Sequence, residues 1–272
     1  MRKRYRILLV VLLVAVLGGL TWQVSRPRQL EPIYQGKPLS VWLAEYYESY
    51  STNSLTLQAP AAVQARTENA VRQIGTNGIP TLLQMLRARN SQLTWLGTKL
   101  SMQLHLTTNP PPNAVERNIE AEIGFWLLGE DAKYAVPALV EIYDQNFSKE
   151  SQGLAALALG RIGPPARMAI PSLLREATNK NEFPRTHSIW ALTQIRGAPA
   201  VLVPALTQAL HDPSLHVRST AAVGLGGFGE DAKSAVPALV QALKDPDYSL
   251  RVHVKNALKQ IDPEAAAKAG VK

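Results

Sequence analysis

The twelve residues GEDAKYAVPALV at positions 129–140 recur as GEDAKSAVPALV at positions 229–240, with one change in twelve. Two weaker copies, IPSLL at 170–174 and VPALT at 203–207, lie between them. The prolines that these segments share follow one another at spacings of 34, 33 and 33 residues: Pro137, Pro171, Pro204 and Pro237. Self-similarity at such a period is typical of stacked helical repeats. A fifth proline in the same setting, Pro80, precedes Pro137 by 57 residues, which fits one repeat plus an insertion at about 90–113.

Each repeat is predicted to hold two helices. Helix A is rich in alanine and leucine, a turn follows at glycine, and helix B carries the shared proline in its first turn, where the missing N–H costs little. The helix A segments are ENAVRQIG, EAEIGFWLLG, QGLAALALGRIG, RTHSIWALTQIRG, RSTAAVGLGGFG and RVHVKNALKQI. Gly224, Gly226 and Gly227 lower the propensity of one such helix by about 1 kcal/mol each, which packing must offset. Because a single pair cannot bury its apolar face alone, the pattern predicts an all-α fold, an α-solenoid of about five to six helix pairs over residues 61–262.

Both ends of the array carry candidate caps, since a terminal repeat needs one sealed face. Within residues 25–60, a linker leads to a predicted amphipathic capping helix whose apolar positions are Leu39, Val41, Trp42, Leu43 and Tyr46. Within residues 263–272, the pattern predicts a short C-terminal helix, with Asp262 as its cap and Gly270 at its end. The insertion combines an apolar stretch with three consecutive prolines, which predicts an extra helix and a surface loop.

The repeat resembles the HEAT-repeat family, and especially its bacterial lyase-like subgroup. In that family's pattern an acidic residue stands eight positions after the helix B proline, and a basic residue stands fourteen positions after it. The residues at these positions are Asn179 and Arg185 after Pro171, Asp212 and Arg218 after Pro204, and Asp245 and Arg251 after Pro237. The resemblance implies a right-handed superhelix in which these six residues form a structural ladder between repeats.

The two N-terminal units depart from this pattern. Their corresponding positions hold Ala88 and Thr94 in one unit, and Gln145 and Ser151 in the other. We therefore expect the regular superhelix to be disturbed toward the N-terminal end. Residues 34–43, YQGKPLSVWL, look like a short segment that precedes HEAT arrays in some membrane-anchored bacterial proteins.

The first 24 residues have the features of a membrane anchor. A basic head at residues 1–6 precedes an unbroken run of apolar residues and glycine at residues 7–20, which is extended by Thr21, Trp22, Gln23 and Val24. As a helix, residues 7–24 would be roughly 27 Å long, just enough for a bilayer core of about 30 Å. Tyr5 and Trp22 bracket the run, and a basic head stays in the cytoplasm. The sequence predicts a single-pass transmembrane signal anchor with a cytoplasmic N-terminus and an extracytoplasmic, periplasmic solenoid.

A cleaved signal peptide is the alternative, with Val16 and Gly18 before a cut at Gly19. That cut leaves a hydrophobic region of about a dozen residues, and no Ala-x-Ala site is present, so the flanks favour an uncleaved anchor. With cleavage, the protein would be secreted.

The net charge of +8 raises the question of a nucleic-acid partner. Residues 1–28 hold six basic residues and no acidic one, which leaves 23 basic against 21 acidic residues in the rest of the chain. The remainder is therefore close to neutral, and no nucleic-acid partner is predicted.

No motif for catalysis, a cofactor or a metal stands out. The chain has no cysteine, and its five histidines form no HExxH motif, whereas structural zinc requires four nitrogen or sulfur ligands at short spacing. The acidic pairs at 130–131 and 230–231 follow glycine at the turn between helices A and B, where an acid caps the next helix. GLGGFG at 224–229 follows no predicted strand. We assign to packing the tryptophans Trp42, Trp126, Trp190 and, with the least support, Trp95.

Residues four and seven positions after each proline share one face of helix B. All of them are polar: Gln84, Arg87, Glu141, Asp144, Arg175, Thr178, Gln208, His211, Gln241 and Lys244. Their charge alternates in sign between repeats, which suits a protein partner better than a polyanion, although a merely solvated face is the alternative for any single residue. The sequence thus predicts a non-catalytic, membrane-anchored scaffold or adaptor for protein partners. The alternative function is an enzyme or enzyme subunit, because the lyase-like subgroup includes chromophore lyase subunits.

Overall fold

The computed structural model describes residues 31–52, 60–90 and 112–271, together with isolated positions 96, 99, 102 and 103. The basic head, the predicted anchor at residues 7–24 and most of the insertion, including Trp95, lie outside these residues. Within the described residues, no helix is long and apolar enough to cross a membrane.

The described part begins with a short hairpin that was not predicted, in which β1 (Ile33–Tyr34) pairs antiparallel with β2 (Lys37–Pro38). Every other regular element described is helical. The helices are α1 (Leu39–Thr52), α2 (Ala61–Ile74), α3 (Ile79–Leu86), α4 (Ala114–Leu128), α5 (Val136–Gln145), α6 (Lys149–Ile162), α7 (Ile170–Glu176), α8 (Glu182–Ile195), α9 (Pro199–Ala209), α10 (Leu215–Gly227), α11 (Val236–Ala242), α12 (Tyr248–Ile261) and α13 (Pro263–Lys268).

The turn between helices A and B has the predicted chemistry in four repeats. A glycine with φ between +52° and +73° follows α2, α4, α6 and α10: Gly75, Gly129, Gly163 and Gly229. Only glycine adopts such a backbone without strain, and each one leads into a 3₁₀ turn. Helix B then begins one residue before the shared proline, so the proline lies in the first turn.

The remaining repeat differs from the prediction. Its helix A, α8, is followed by Arg196 at a φ of 50°, and helix B already begins at Pro199. Proline at the first helical position has a pre-organised φ and needs no N–H partner, so it starts the helix early. As a result, Pro204 lies inside α9, and its predicted place in the first turn is wrong.

The helices stack as a solenoid. Successive A helices from α4 to α12 pack side by side, and each B helix packs against the helix A that follows it. Six alanines of the A helices are at most 1% exposed: Ala156, Ala158, Ala191, Ala221, Ala222 and Ala257. The predicted α-solenoid is thereby confirmed for the described residues, while its right-handed sense stays a prediction.

Helix α1 covers the N-terminal end of the stack by packing on α2 and α4. Leu39, Trp42, Leu43 and Tyr46 are buried along one stripe of α1. The expectation for Val41 is wrong, because this residue points away from that stripe and is 39% exposed.

Helix α13 packs on α12 at the other end of the array. The Asp262 carboxylate accepts a hydrogen bond from the backbone N–H of Ala265 at 2.9 Å. Gly270, at a φ of 76°, follows the helix.

Candidate interaction surface

An arginine of one repeat binds an aspartate of the next in the C-terminal half of the stack. Arg185 donates from Nε and Nη2 to the two carboxylate oxygens of Asp212, at 2.7 and 2.9 Å. Both side chains are only 10% exposed, and this hydrogen bond raises the pKa of Arg185. Arg218 forms the corresponding ion pair with Asp245, with Nε 3.1 Å from Oδ2, but its hydrogen bond runs from Nη2 to Oδ1 at 3.5 Å, and Nε makes none among the described residues.

The same residues also close their own loops. The Nη1 atom of each arginine donates to two backbone carbonyls of the loop before its helix, as Arg185 does to Asn179 and Lys180. Arg218 and Arg251 do the same one and two repeats later. At the other ladder position, eight residues after the proline, the side chain accepts a hydrogen bond from the backbone N–H of the residue two positions later. The side chains that do so are Asn179, Asp212 and Asp245. Each of the six ladder residues therefore contacts its own loop.

The N-terminal units use other side chains at the equivalent junctions. Asn118 donates to the carbonyls of Met85 and Leu86 at 2.8 and 3.0 Å, and Ser151 donates to Leu86 at 2.7 Å. Gln152 donates to the carbonyl of Tyr143. These residues satisfy the free carbonyls at the ends of helices B, which otherwise lack partners. Sequence reasoning missed them because an amide or hydroxyl side chain carries no repeat signature here.

The candidate binding face is a ridge of polar side chains along the B helices. Nine of its ten predicted members are exposed, and Arg87 is half-buried. In the N-terminal half the charged members face each other across repeats, since Arg87 lies 3.4 Å from Glu141 and Arg175 lies 2.6 Å from Asp144. The opposite charges of neighbouring repeats therefore pair with each other. These residues need no external partner to neutralise their charge.

The C-terminal half of the ridge differs in this respect. We call Gln208, His211, Gln241 and Lys244 the C-terminal ridge. All four side chains are exposed, and none makes a hydrogen bond or ion pair with another residue in the part of the chain that the structure describes. A groove of about 540 Å³ lies between α9 and α11, lined by His211, Gln241 and Lys244 together with the ladder and with alanines of α11. These side chains are free to bind a partner.

An arginine lies between two tryptophans on the A-helix face. The Arg161 guanidinium is 5.3 Å from the ring centre of Trp126 and 5.1 Å from that of Trp190. Its Nε donates to Glu122 at 3.3 Å. Burial raises the pKa of Glu122, and the charge of Arg161 opposes that rise. Trp126 and Trp190 therefore pack as predicted, although Trp126 remains 39% exposed.

The repeated acidic pairs do not cap the B helices, contrary to the sequence prediction. Glu130, Asp131 and their counterparts lie in the first turn of the 3₁₀ segment, and no side chain bonds the start of α5 or α11. The 3₁₀ turn separates them from helix B. Glu230 instead pairs with Lys233 at 3.1 Å.

The histidines of the described chain are dispersed. Among described residues, no group of three or more histidine, aspartate or glutamate side chains could hold a metal ion. Burial lowers the pKa of His187, whose Nδ1 lies 2.8 Å from the Phe183 carbonyl oxygen.

Comparison with known proteins gives a family match and a number of similar solved structures. An engineered protein of known crystal structure is 16% identical, with a TM-score of 0.44 over 85% of this chain and 97% of that chain. A designed armadillo repeat protein in complex with the peptide (KR)4 is 17% identical, with a TM-score of 0.46 over 83% of this chain and 100% of that chain. A search of curated proteins finds no match. The segment that contains Asp212, Arg218, Asp245 and Arg251 of the ladder, residues 203–269, matches the family model described as HEAT repeats.

Proposed function

We propose that this chain is a non-catalytic, membrane-anchored scaffold that binds protein partners on its B-helix face, with the C-terminal ridge as the principal contact. The observation that carries the proposal is the contrast along that face. Arg87, Glu141, Asp144 and Arg175 pair with one another, whereas the C-terminal ridge presents unpaired polar side chains beside a groove. A rigid, repeated helix surface suits the extended contacts that solenoids make with proteins.

The chemistry of the C-terminal ridge suits a polar protein surface with acidic groups. Lys244 supplies a cation that pairs with no carboxylate among the described residues, while Gln208, His211 and Gln241 offer further hydrogen-bonding groups. Charge complementarity of this kind sets specificity and the rate of association. The ladder residues that also line the groove are held by their own contacts, so they serve as its fixed wall.

The membrane anchor is part of the proposal on the strength of residues 1–24 alone. An uncleaved helix at residues 7–24 would hold the solenoid at the outer face of the membrane. The intact mass of the protein from native membranes tests this point. A species that lacks the first twenty or so residues would replace the anchor with a cleaved signal peptide.

The partner-binding proposal is tested by crosslinking in native membranes followed by mass spectrometry. The informative variant is Gln241→Glu/Lys244→Glu, which reverses the charge of the C-terminal ridge. Lys255→Glu/Lys259→Glu is the matched control, because these lysines are equally exposed but lie on α12. We expect the ridge variant to lose the crosslinked partner and the control to retain it. Equal recovery of every crosslinked protein from both variants would contradict the proposal.

A further inference from the structure

A second groove follows the outer side of α10. It lies on the A helices, whereas the C-terminal ridge lies on the B helices. Its volume is about 720 Å³, and it runs between α8 and α12. Beyond Leu215 and His216 in its first turn, the side chains that α10 contributes are short, namely Ser219, Thr220 and Val223. Trp190 of α8 and His253 of α12 lie on the two sides.

Glycine explains why α10 approaches its neighbours so closely. A Cβ atom on Gly224 would overlap the Thr193 side chain of α8, and one on Gly226 would lie 3.1 Å from the Cα of Ala257 in α12. Both flanking helices are thereby drawn against α10. Their larger side chains then project beyond its short ones, which leaves a channel along the helix.

The lining of this groove is polar but almost uncharged. Hydroxyl groups, the amide of Gln194 and two imidazoles alternate with apolar Trp190, Leu215 and Val223. Glu182 is the one carboxylate among the lining residues, and neither lysine nor arginine lines the groove. Glu182 accepts a hydrogen bond from Ser214, and no described residue forms an ion pair with it. Arg185, which lies near enough to interact with its charge, is bound to Asp212.

We propose that this groove binds an extended peptide segment of a partner protein, with a lysine or arginine of that segment against Glu182. Helix α10 has 13 residues and is roughly 20 Å long, so it can accommodate about six residues of extended chain. An extended backbone needs both donors and acceptors along its path, and the hydroxyl, amide and imidazole groups supply both. Glu182 provides the charge complementarity that selects a basic residue.

The test uses a library of seven-residue peptides displayed on phage and selected on the full chain in detergent. A selected peptide is then labelled with fluorescein, and its affinity for variants is measured by fluorescence anisotropy. We expect the selected peptides to share one lysine or arginine. Glu182→Gln, which keeps a hydrogen-bond acceptor for Ser214, weakens binding about fivefold, the size expected for an exposed ion pair. Val223→Arg, at a position that is 56% exposed, blocks the groove and abolishes binding.

Two controls separate this groove from other surfaces. Glu264→Gln removes an exposed acid of α13, and Lys244→Glu alters the C-terminal ridge; both variants bind the peptide as the unmodified chain does. Circular dichroism and thermal melting verify that every variant folds. The proposal is overturned if the selected peptides share no basic residue, or if Glu182→Gln or Val223→Arg binds with unchanged affinity. It is also overturned if an uncharged oligosaccharide, chitohexaose, displaces the peptide from the groove and binds Glu182→Gln equally well.

Discussion

At the residue scale, the pair of Arg185 and Asp212 is the best-formed contact between repeats. Its two parallel hydrogen bonds fix the angle between neighbouring loops, and both side chains are nearly withdrawn from water. The same carboxylate accepts the N–H of Ser214, so one aspartate serves both a loop and an inter-repeat contact. Removing it leaves a guanidinium group with reduced solvation and without the carboxylate that binds it.

We expect Asp212→Ala to lower the free energy of unfolding by about 3 kcal/mol, because breaking a buried pair leaves an unpaired charge. The matched control is Glu230→Ala, which removes an exposed ion pair to Lys233 and should cost less than about 1 kcal/mol. Urea denaturation followed by circular dichroism measures both. Equal losses of stability in the two variants would show that the ladder contributes no more than a surface pair.

His187 should make the stability of the chain fall in mild acid. Burial lowers its pKa in the folded state, so the unfolded chain binds a proton more readily. The free energy of unfolding therefore decreases as the pH falls from the ordinary histidine pKa of about 6.5 toward the lower pKa of His187 in the folded chain. His187→Asn removes this dependence. The check is to measure the melting temperatures of the unmodified chain and of His187→Asn between pH 8 and pH 5. A parallel decline of the two melting temperatures would exclude His187 as the source of the pH dependence.

A side chain that recurs at a fixed position in the repeat can be located from the sequence. The positions of Asp212, Arg218 and Asp245 after their prolines could be assigned in this way. Asn118 and Ser151 could not, because their partners are carbonyl groups at a helix end 32 or more residues away. Only the packing of the helices brings those groups together.

At the element scale, the glycines of α10 have separate roles that the sequence does not distinguish. Gly224 and Gly226 face neighbouring helices, whereas Gly227 lies near the flexible end of the Arg196 side chain. Their shared low helix propensity is therefore offset by packing at the first two positions only. The close approach of α8 and α12 also creates the groove along α10.

Gly224→Ala should destabilise the chain by about 1 to 3 kcal/mol, since its Cβ would overlap Thr193 in a packed interface. Gly227→Ala should be neutral or stabilising by up to about 1 kcal/mol, because it gains helix propensity and meets only a movable side chain. Thermal melting of the two variants gives the comparison. A stabilised Gly224→Ala variant would mean that α8 and α10 are not in close contact.

At the scale of the whole molecule, stability is local because each repeat contacts its neighbours in the stack. Helix α1 seals the N-terminal end through side chains such as Leu43, which is fully buried. The C-terminal end is covered independently by α13. A defect at one end should therefore not spread through the array.

Leu43→Ala should cost about 2 to 5 kcal/mol locally and should loosen α2 and α4 before the rest of the chain. Amide hydrogen exchange measured by mass spectrometry is the direct observation. We expect faster exchange in α2 and α4 and unchanged exchange in α12. Uniformly faster exchange from α2 to α12 would mean that the stack unfolds as one cooperative unit.

Features that depend on neighbouring residues in the chain can be predicted from the sequence alone. The positions of the repeats, the glycine turns and most helix starts follow from local backbone preferences, which proline and glycine express directly. The early start of α9 at Pro199 and the hairpin before α1 were the local exceptions. Only the tertiary structure decided that Arg87 meets Glu141 and that Arg175 meets Asp144, because these partners are 54 and 31 residues apart. The free C-terminal ridge and the groove along α10 arise in the same way, since solvent access depends on which side chains the stack brings together.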